Sequence, residues 1–138
     1  MSIPVFALLA FAIWTVVLLL GTVGVYRWSR ILTGRVPISG FRADEIEGED
    51  WYRRAMRAHA NCVENLPVFG AVVLALHASG IVSATADRLA IVAVAARIAQ
   101  SLVHVGFVQT DVVTSIRFAF FFVQLVCFLW MAGLVAAG

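Results

Sequence analysis

The chain has 138 residues, 62% of them hydrophobic and only 13% charged, with a mean hydropathy of +0.97. Soluble domains are about half apolar and about a quarter charged, so a water-soluble fold of this size is excluded and lipid must be the solvent for most of the surface. The formal charge is +2, all ten basic residues are arginine, and no basic run suggests nucleic acid. The length allows one domain, residues 1–138.

The first uncharged run covers residues 3–25. At about 1.5 Å per residue it spans roughly 34 Å, enough for a hydrocarbon core of about 30 Å. No positive n-region precedes it, and it exceeds a signal-peptide core, so it reads as a retained first helix, about 3–26. Gly21 and Gly24 near its end are expected to allow close helix contact. A polar segment, about 27–50, follows. It carries several arginines, an acidic patch from Asp44 to Asp50, and the breakers Pro37 and Gly40. Three more apolar stretches predict helices over about 51–79, 88–110 and 115–137, joined by short loops near Ser83 and Asp111. Pro67 in the second predicts a bend just beyond Glu64. The fold class expected is all-α, an integral membrane four-helix bundle. The alternative, a buried bundle within a larger soluble complex, does not suit four successive runs of bilayer length.

Seven of the ten arginines, Arg27, Arg30, Arg35, Arg42, Arg53, Arg54 and Arg57, fall between the first and second apolar runs. The positive-inside rule puts that segment in the cytoplasm and, with four spans, both termini on the non-cytoplasmic side.

Charges inside a membrane are costly and tend to face a bundle interior. On the second helix Arg57, Asn61 and Glu64 stand at i, i+4 and i+7, one narrow stripe at about 100° per residue. Arg97, Ser101 and His104 repeat the spacing on the third helix, with Gln100 beside them. Arg117, Phe121 and Gln124 repeat it on the fourth. Arg27 lies at the cytoplasmic end of the first. Depth estimates let these stripes meet in one polar pocket in the cytoplasmic leaflet. Arg97 is deeper, roughly 21 Å from Asp111 along the helix, and calls for a carboxylate partner such as Glu64. These polar groups could simply hold helices together. Yet Arg57, Arg97 and Arg117 face a single embedded carboxylate, and an anionic ligand is the natural complement.

Cys62 and Cys127 lie in apolar stretches, with no disulfide or metal-ligand spacing, and read as buried small hydrophobes. No metal site is expected. His59, His77 and His104 give no axial pair on one face, which argues against haem. No phosphate-loop, dinucleotide or nucleophile-elbow pattern occurs.

The stretch Arg54-Ala55-Met56-Arg57-Ala58-His59-Ala60-Asn61-Cys62-Val63-Glu64-Asn65-Leu66-Pro67-Val68-Phe69 resembles the signature of the MAPEG family, the membrane-associated proteins in eicosanoid and glutathione metabolism. Ala96-Arg97-Ile98-Ala99-Gln100, and the segment from Ile116-Arg117 to Gln124-Leu125, are similar to it as well. Pro67, three residues after Glu64, resembles bacterial members, which implies a bacterial inner membrane. The resemblance implies a homotrimer binding glutathione as cosubstrate between neighbouring subunits near the cytoplasmic face. By position, Arg27, Asn61, Glu64 and Arg117 match glutathione-contacting residues. Arg57 and Arg97 match arginines shaping the same site, and Gln100, His104 and Phe121 stand at further cofactor-binding positions of it. Arg117 matches the arginine that stabilises the thiolate. The chain departs from members with eicosanoid activity at Ala60, where they often carry Arg. It departs again at His104 and Phe121, where they carry Tyr, and at Gln100, where they carry His. The loop before Arg117 also looks longer than usual.

The chemistry agrees. Arginines suit the two carboxylates of glutathione, and Glu64 suits its ammonium. Lowering a thiol pKa by about two takes roughly 2.7 kcal/mol, within reach of one arginine in a partly desolvated site. The expected function is a glutathione-dependent membrane transferase, with peroxidase activity as a further option. Its substrates would be hydrophobic small molecules arriving from membrane lipid, with Arg117 catalytic. A non-enzymatic ligand-binding scaffold of the same fold is the alternative. A small four-helix exporter is suggested only by size and the intramembrane Glu64.

Overall fold

The computed structural model describes residues 1–41 and 47–138. Arg42, Asp44 and Glu45, expected in the polar loop, lie outside the described residues. Among those described the chain is all-helical. Four helices are long and apolar enough to span a membrane: α1 (Ile3–Leu32), α2 (Asp50–Ala78), α3 (Ala84–Gly106) and α4 (Asp111–Ala137).

α1 runs past the expected end at residue 26 because nothing between Val25 and Leu32 breaks a helix. Arg27 and Arg30 therefore project from helix rather than loop. Gly34 ends it in the left-handed region, φ 72°, and its N–H bonds the Ile31 carbonyl at 3.1 Å, the usual service of glycine after a helix. Within α1, Leu19–Gly24 is wound as a π-helical turn, where the Thr22 hydroxyl donates to the Leu18 carbonyl and so competes with the regular ladder. The close packing expected of Gly21 and Gly24 is not formed within the protomer. A side chain at Gly21 would meet nothing within 4 Å, and one at Gly24 would meet only its own helix.

α2 continues through Pro67 without interruption and stops at Gly80, φ 67°. α3 and α4 each begin four residues before the expected starts, because their caps precede Asp87 and Asp111. Ser83 accepts from the Ala86 N–H at 3.3 Å and Thr110 from the Val113 N–H at 3.2 Å, which places Asp87 and Asp111 in first turns, where the helix dipole favours a carboxylate. α3 ends at Gly106 rather than near 110, with Phe107 extended.

The core lies where small residues let helices approach. Ala90 and Ala93 of α3, with Ala58 and Cys62 of α2, are essentially inaccessible, which suits bundles packed in lipid. Phe69 is the hub, its ring centroid 5.5 Å from Phe11 and 5.4 Å from Phe128. Phe6, Ile13, Leu20, Leu74, Leu102 and Leu129 face outward, the expected dress of a lipid-facing surface. Both cysteines are buried and free.

A second cluster caps the end that carries the arginine-rich loop. Tyr26 stacks on Tyr52 with centroids 3.9 Å apart and meets Trp51 edge-on at 5.4 Å. Gly48 lies so close that a Cβ there would stand 2.5 Å from the Tyr26 hydroxyl. Only glycine fits this approach, and its φ of 145° suits it too.

Candidate functional site

A cavity of about 340 Å³ opens between α2 and α4. Asn61, Glu64 and Asn65 line it from α2, Gln100 from α3, and Thr114, Arg117, Phe118 and Phe121 from α4. Each set follows from helical spacing, i, i+3, i+4 on α2 and i, i+3, i+4, i+7 on α4. Asn65 donates its amide to the Asn61 carbonyl at 2.7 Å, which fixes its nitrogen against the backbone. Arg117 is half-buried, and its Nε is buried without an acceptor. Among the described residues the only ion pairs are Arg30 with Glu49 and Arg54 with Asp50. Arg117 and Glu64 thus share one cavity, and neither has an ion-pair partner there.

Five residues singled out from the sequence, Asn61, Glu64, Gln100, Arg117 and Phe121, stand on this cavity. Four do not. Arg57 is exposed one turn from Asn61. Arg27 is engaged elsewhere, its Nε donating to the Tyr52 hydroxyl at 2.8 Å while its guanidinium lies 5.3 Å from the Phe41 ring centroid. His104 is buried, 3% exposed, on the face of α3 that also carries Arg97 and Ser101.

Arg97 differs most from expectation. Its side chain is 1% exposed, its guanidinium lies 5.7 Å from the Phe11 ring centroid, and Nε and Nη2 have no partner. The expected pair with Glu64 is not formed. Arg97 turns toward α1 and the core, while Glu64 is exposed. Because α3 ends at Gly106, Arg97 lies about 14 Å from that end, not roughly 21 Å from Asp111. Ser101 beside it gathers a small polar group. Its hydroxyl donates to the Arg97 carbonyl at 2.9 Å, accepts from Trp14 Nε1 at 3.2 Å and lies 3.5 Å from Cys62 Sγ.

Asn65, Thr114 and Phe118 were missed. Asn65 sits one residue past Glu64, and its polarity in an apolar run was the available signal. Thr114 falls just before the expected start at 115, and the Thr110 cap brings it into α4 on the Arg117 face.

The polar run on α2 and the cavity it forms with α4 lie within a chain that the MAPEG family model matches over residues 4–137. The chain belongs to the MAPEG family. No curated protein and no solved structure matches it. Membership and the four apolar helices together make it an integral, multi-pass membrane protein. In this MAPEG chain the cavity offers one cation, one carboxylate, several amides and a hydroxyl, beside the two aromatic rings of Phe118 and Phe121. Such a set suits a small zwitterionic ligand next to an apolar one.

Proposed function

We infer that this MAPEG protein is a glutathione-dependent membrane transferase, with or without peroxidase activity, acting on lipophilic electrophiles. The observation that carries the reading is the pairing of Arg117, whose buried Nε lacks an acceptor, with Glu64 in one cavity of about 340 Å³. A buried donor without an acceptor is costly, and an anionic sulfur or carboxylate supplies what it lacks. Glu64 takes the ammonium of glutathione, and Asn61 and Gln100 bond its amides and carboxylates. Arg117 stabilises the thiolate left when the thiol gives its proton to water. The sulfur electron pair then forms the bond to the electrophilic carbon as the leaving group, chloride for a chlorinated aromatic, departs with its bonding pair. Phe118 and Phe121 give that electrophile an apolar approach. Arg27, Arg57, Arg97 and His104 belong to the proposed site only through rearrangement or a neighbouring subunit.

The proposed assembly is a homotrimer. Arg57 and Glu64 are exposed on one protomer, and charges at these positions are expensive against lipid. A second copy laid over α2 covers them. The proposed orientation keeps the arginine-rich end in the cytoplasm, with both termini outside, in a bacterial inner membrane. Native mass spectrometry in mild detergent should give three subunits. Cysteine labelling at Ser39 and Gly138 should give opposite sidedness.

A non-enzymatic ligand-binding scaffold is the second reading. It is favoured by the withdrawal of Arg27 into its contact with Tyr52 and by the lack of any tyrosine on the cavity. Calorimetry with glutathione, followed by turnover with a chlorinated aromatic electrophile, separates the two. Binding with turnover supports the transferase, binding without turnover supports the scaffold, and no binding contradicts the proposed ligand.

A further inference from the structure

Behind the cavity Gln100, which lines it, pairs with Gln124, and a backbone carbonyl dictates the polarity of the pair. Nε2 of Gln124 donates to the Phe120 carbonyl at 3.0 Å and to Oε1 of Gln100 at 2.9 Å. A backbone carbonyl only accepts, so the atom of Gln124 beside it must be the nitrogen. Both hydrogens of that nitrogen are then engaged. The atom of Gln100 that meets it must accept, so it is the oxygen. The remaining end of the Gln100 carboxamide is a nitrogen with two hydrogens. It belongs to a side chain that lines the cavity, and it makes no hydrogen bond to the described residues. Gln124 is fully buried and is not part of the lining. Its own Oε1 is buried without a partner, so its only side-chain bonds are the two that fix the polarity of the pair.

We propose that Gln124 is a positioning residue that holds Gln100 as a fixed hydrogen-bond donor into the cavity, so that the ligand presents a hydrogen-bond acceptor at that point. A carboxamide does not titrate, so this donor keeps its two hydrogens and its neutral charge at every working pH. The identity of the ligand as glutathione rests on the function proposed above. The direction of the donor does not.

The chain contains three glutamines, Gln100, Gln109 and Gln124. Isotope-labelled glutamine therefore gives three side-chain amide pairs in a micelle NMR spectrum, assigned through Gln100→Met and Gln124→Met. The Gln124 pair should exchange slowly with water, and the Gln100 pair should shift when glutathione is added. Gln124→Met should disturb the Gln100 pair before any ligand is present. It should also weaken glutathione binding about tenfold, the usual effect of losing a hydrogen bond to a charged group. The double variant should bind no more weakly than Gln100→Met alone, because Gln124 acts only through Gln100. A Gln124 pair that exchanges as freely as that of Gln109 would overturn the proposal. So would losses that add in full in the double variant. If the exchange pattern is as expected but glutathione moves none of the three pairs, the donor's direction stands and the proposed function fails.

Discussion

Around Tyr26 and Tyr52 three guanidinium groups have somewhere to place their charge. Arg27 bonds the Tyr52 hydroxyl at 2.8 Å, Arg30 lies 3.7 Å from the centre of the Tyr26 ring and bonds Glu49 at 3.2 Å, and Arg54 reaches the Val105 carbonyl at 3.1 Å. Around the cavity the same residue type is left short, with Arg117 Nε buried and unpartnered. The two regions carry the same residue and do different work. Paired arginines fasten elements: Arg54, by bonding the carbonyl of Val105, ties α2 to the C-terminal turn of α3. Arg117, half-buried beside a cavity, is free to engage what enters it, whereas Arg97, also short of acceptors, is held in the core over Phe11.

Variants can break this contrast. The largest expected effect is on stability at the aromatic cluster. Tyr26→Ala removes a side chain that is 5% exposed and stacked on Tyr52, and should cost about 3 kcal/mol. Melting in detergent micelles should fall markedly, while turnover per folded molecule stays at the wild-type level. Loss of turnover without loss of stability would erase the distinction between the regions.

At the cavity the order reverses. Arg117→Ala should lower turnover about a hundredfold, the scale of removing one donor to a developing or stabilised anion, with little change in melting temperature. Glu64→Gln should act on the ground state, weakening glutathione binding about tenfold through the lost ammonium contact. Its turnover at saturating glutathione should fall much less than that of Arg117→Ala. Calorimetry and steady-state kinetics on the same preparations separate the two behaviours. The smallest effect belongs to Tyr26→Phe, which deletes only the hydroxyl that accepts the Glu49 N–H at 3.3 Å. It should cost about 1 kcal/mol and leave glutathione affinity unchanged.

Much of this was legible in the sequence, and the failures have physical causes. Apolar run length gave all four helices because a bilayer sets their span. Their ends were misplaced because Asp87 and Asp111 look like loop residues until Ser83 and Thr110 are recognised as caps. Helical spacing brought Asn61, Glu64 and Arg117 to one cavity. It could not say that Arg97 turns inward over Phe11, because spacing fixes which residues share a face but not which neighbour that face meets. Tyr52 gave no sign that it would engage Arg27, since an aromatic near a membrane interface is expected on other grounds. The polarity of the Gln100 and Gln124 pair was out of reach, because it depends on α4 meeting α3 at just these two side chains while the Phe120 carbonyl holds Gln124 Nε2.

The central claim is that Arg117 holds the glutathione sulfur as a thiolate, and the ultraviolet absorbance of that thiolate tests it most directly. Adding glutathione to the wild-type protein near neutral pH should produce a thiolate band in the difference spectrum. Arg117→Ala, at glutathione concentrations where calorimetry shows the site filled, should lack it. An undiminished band in Arg117→Ala, with turnover retained, would contradict the account.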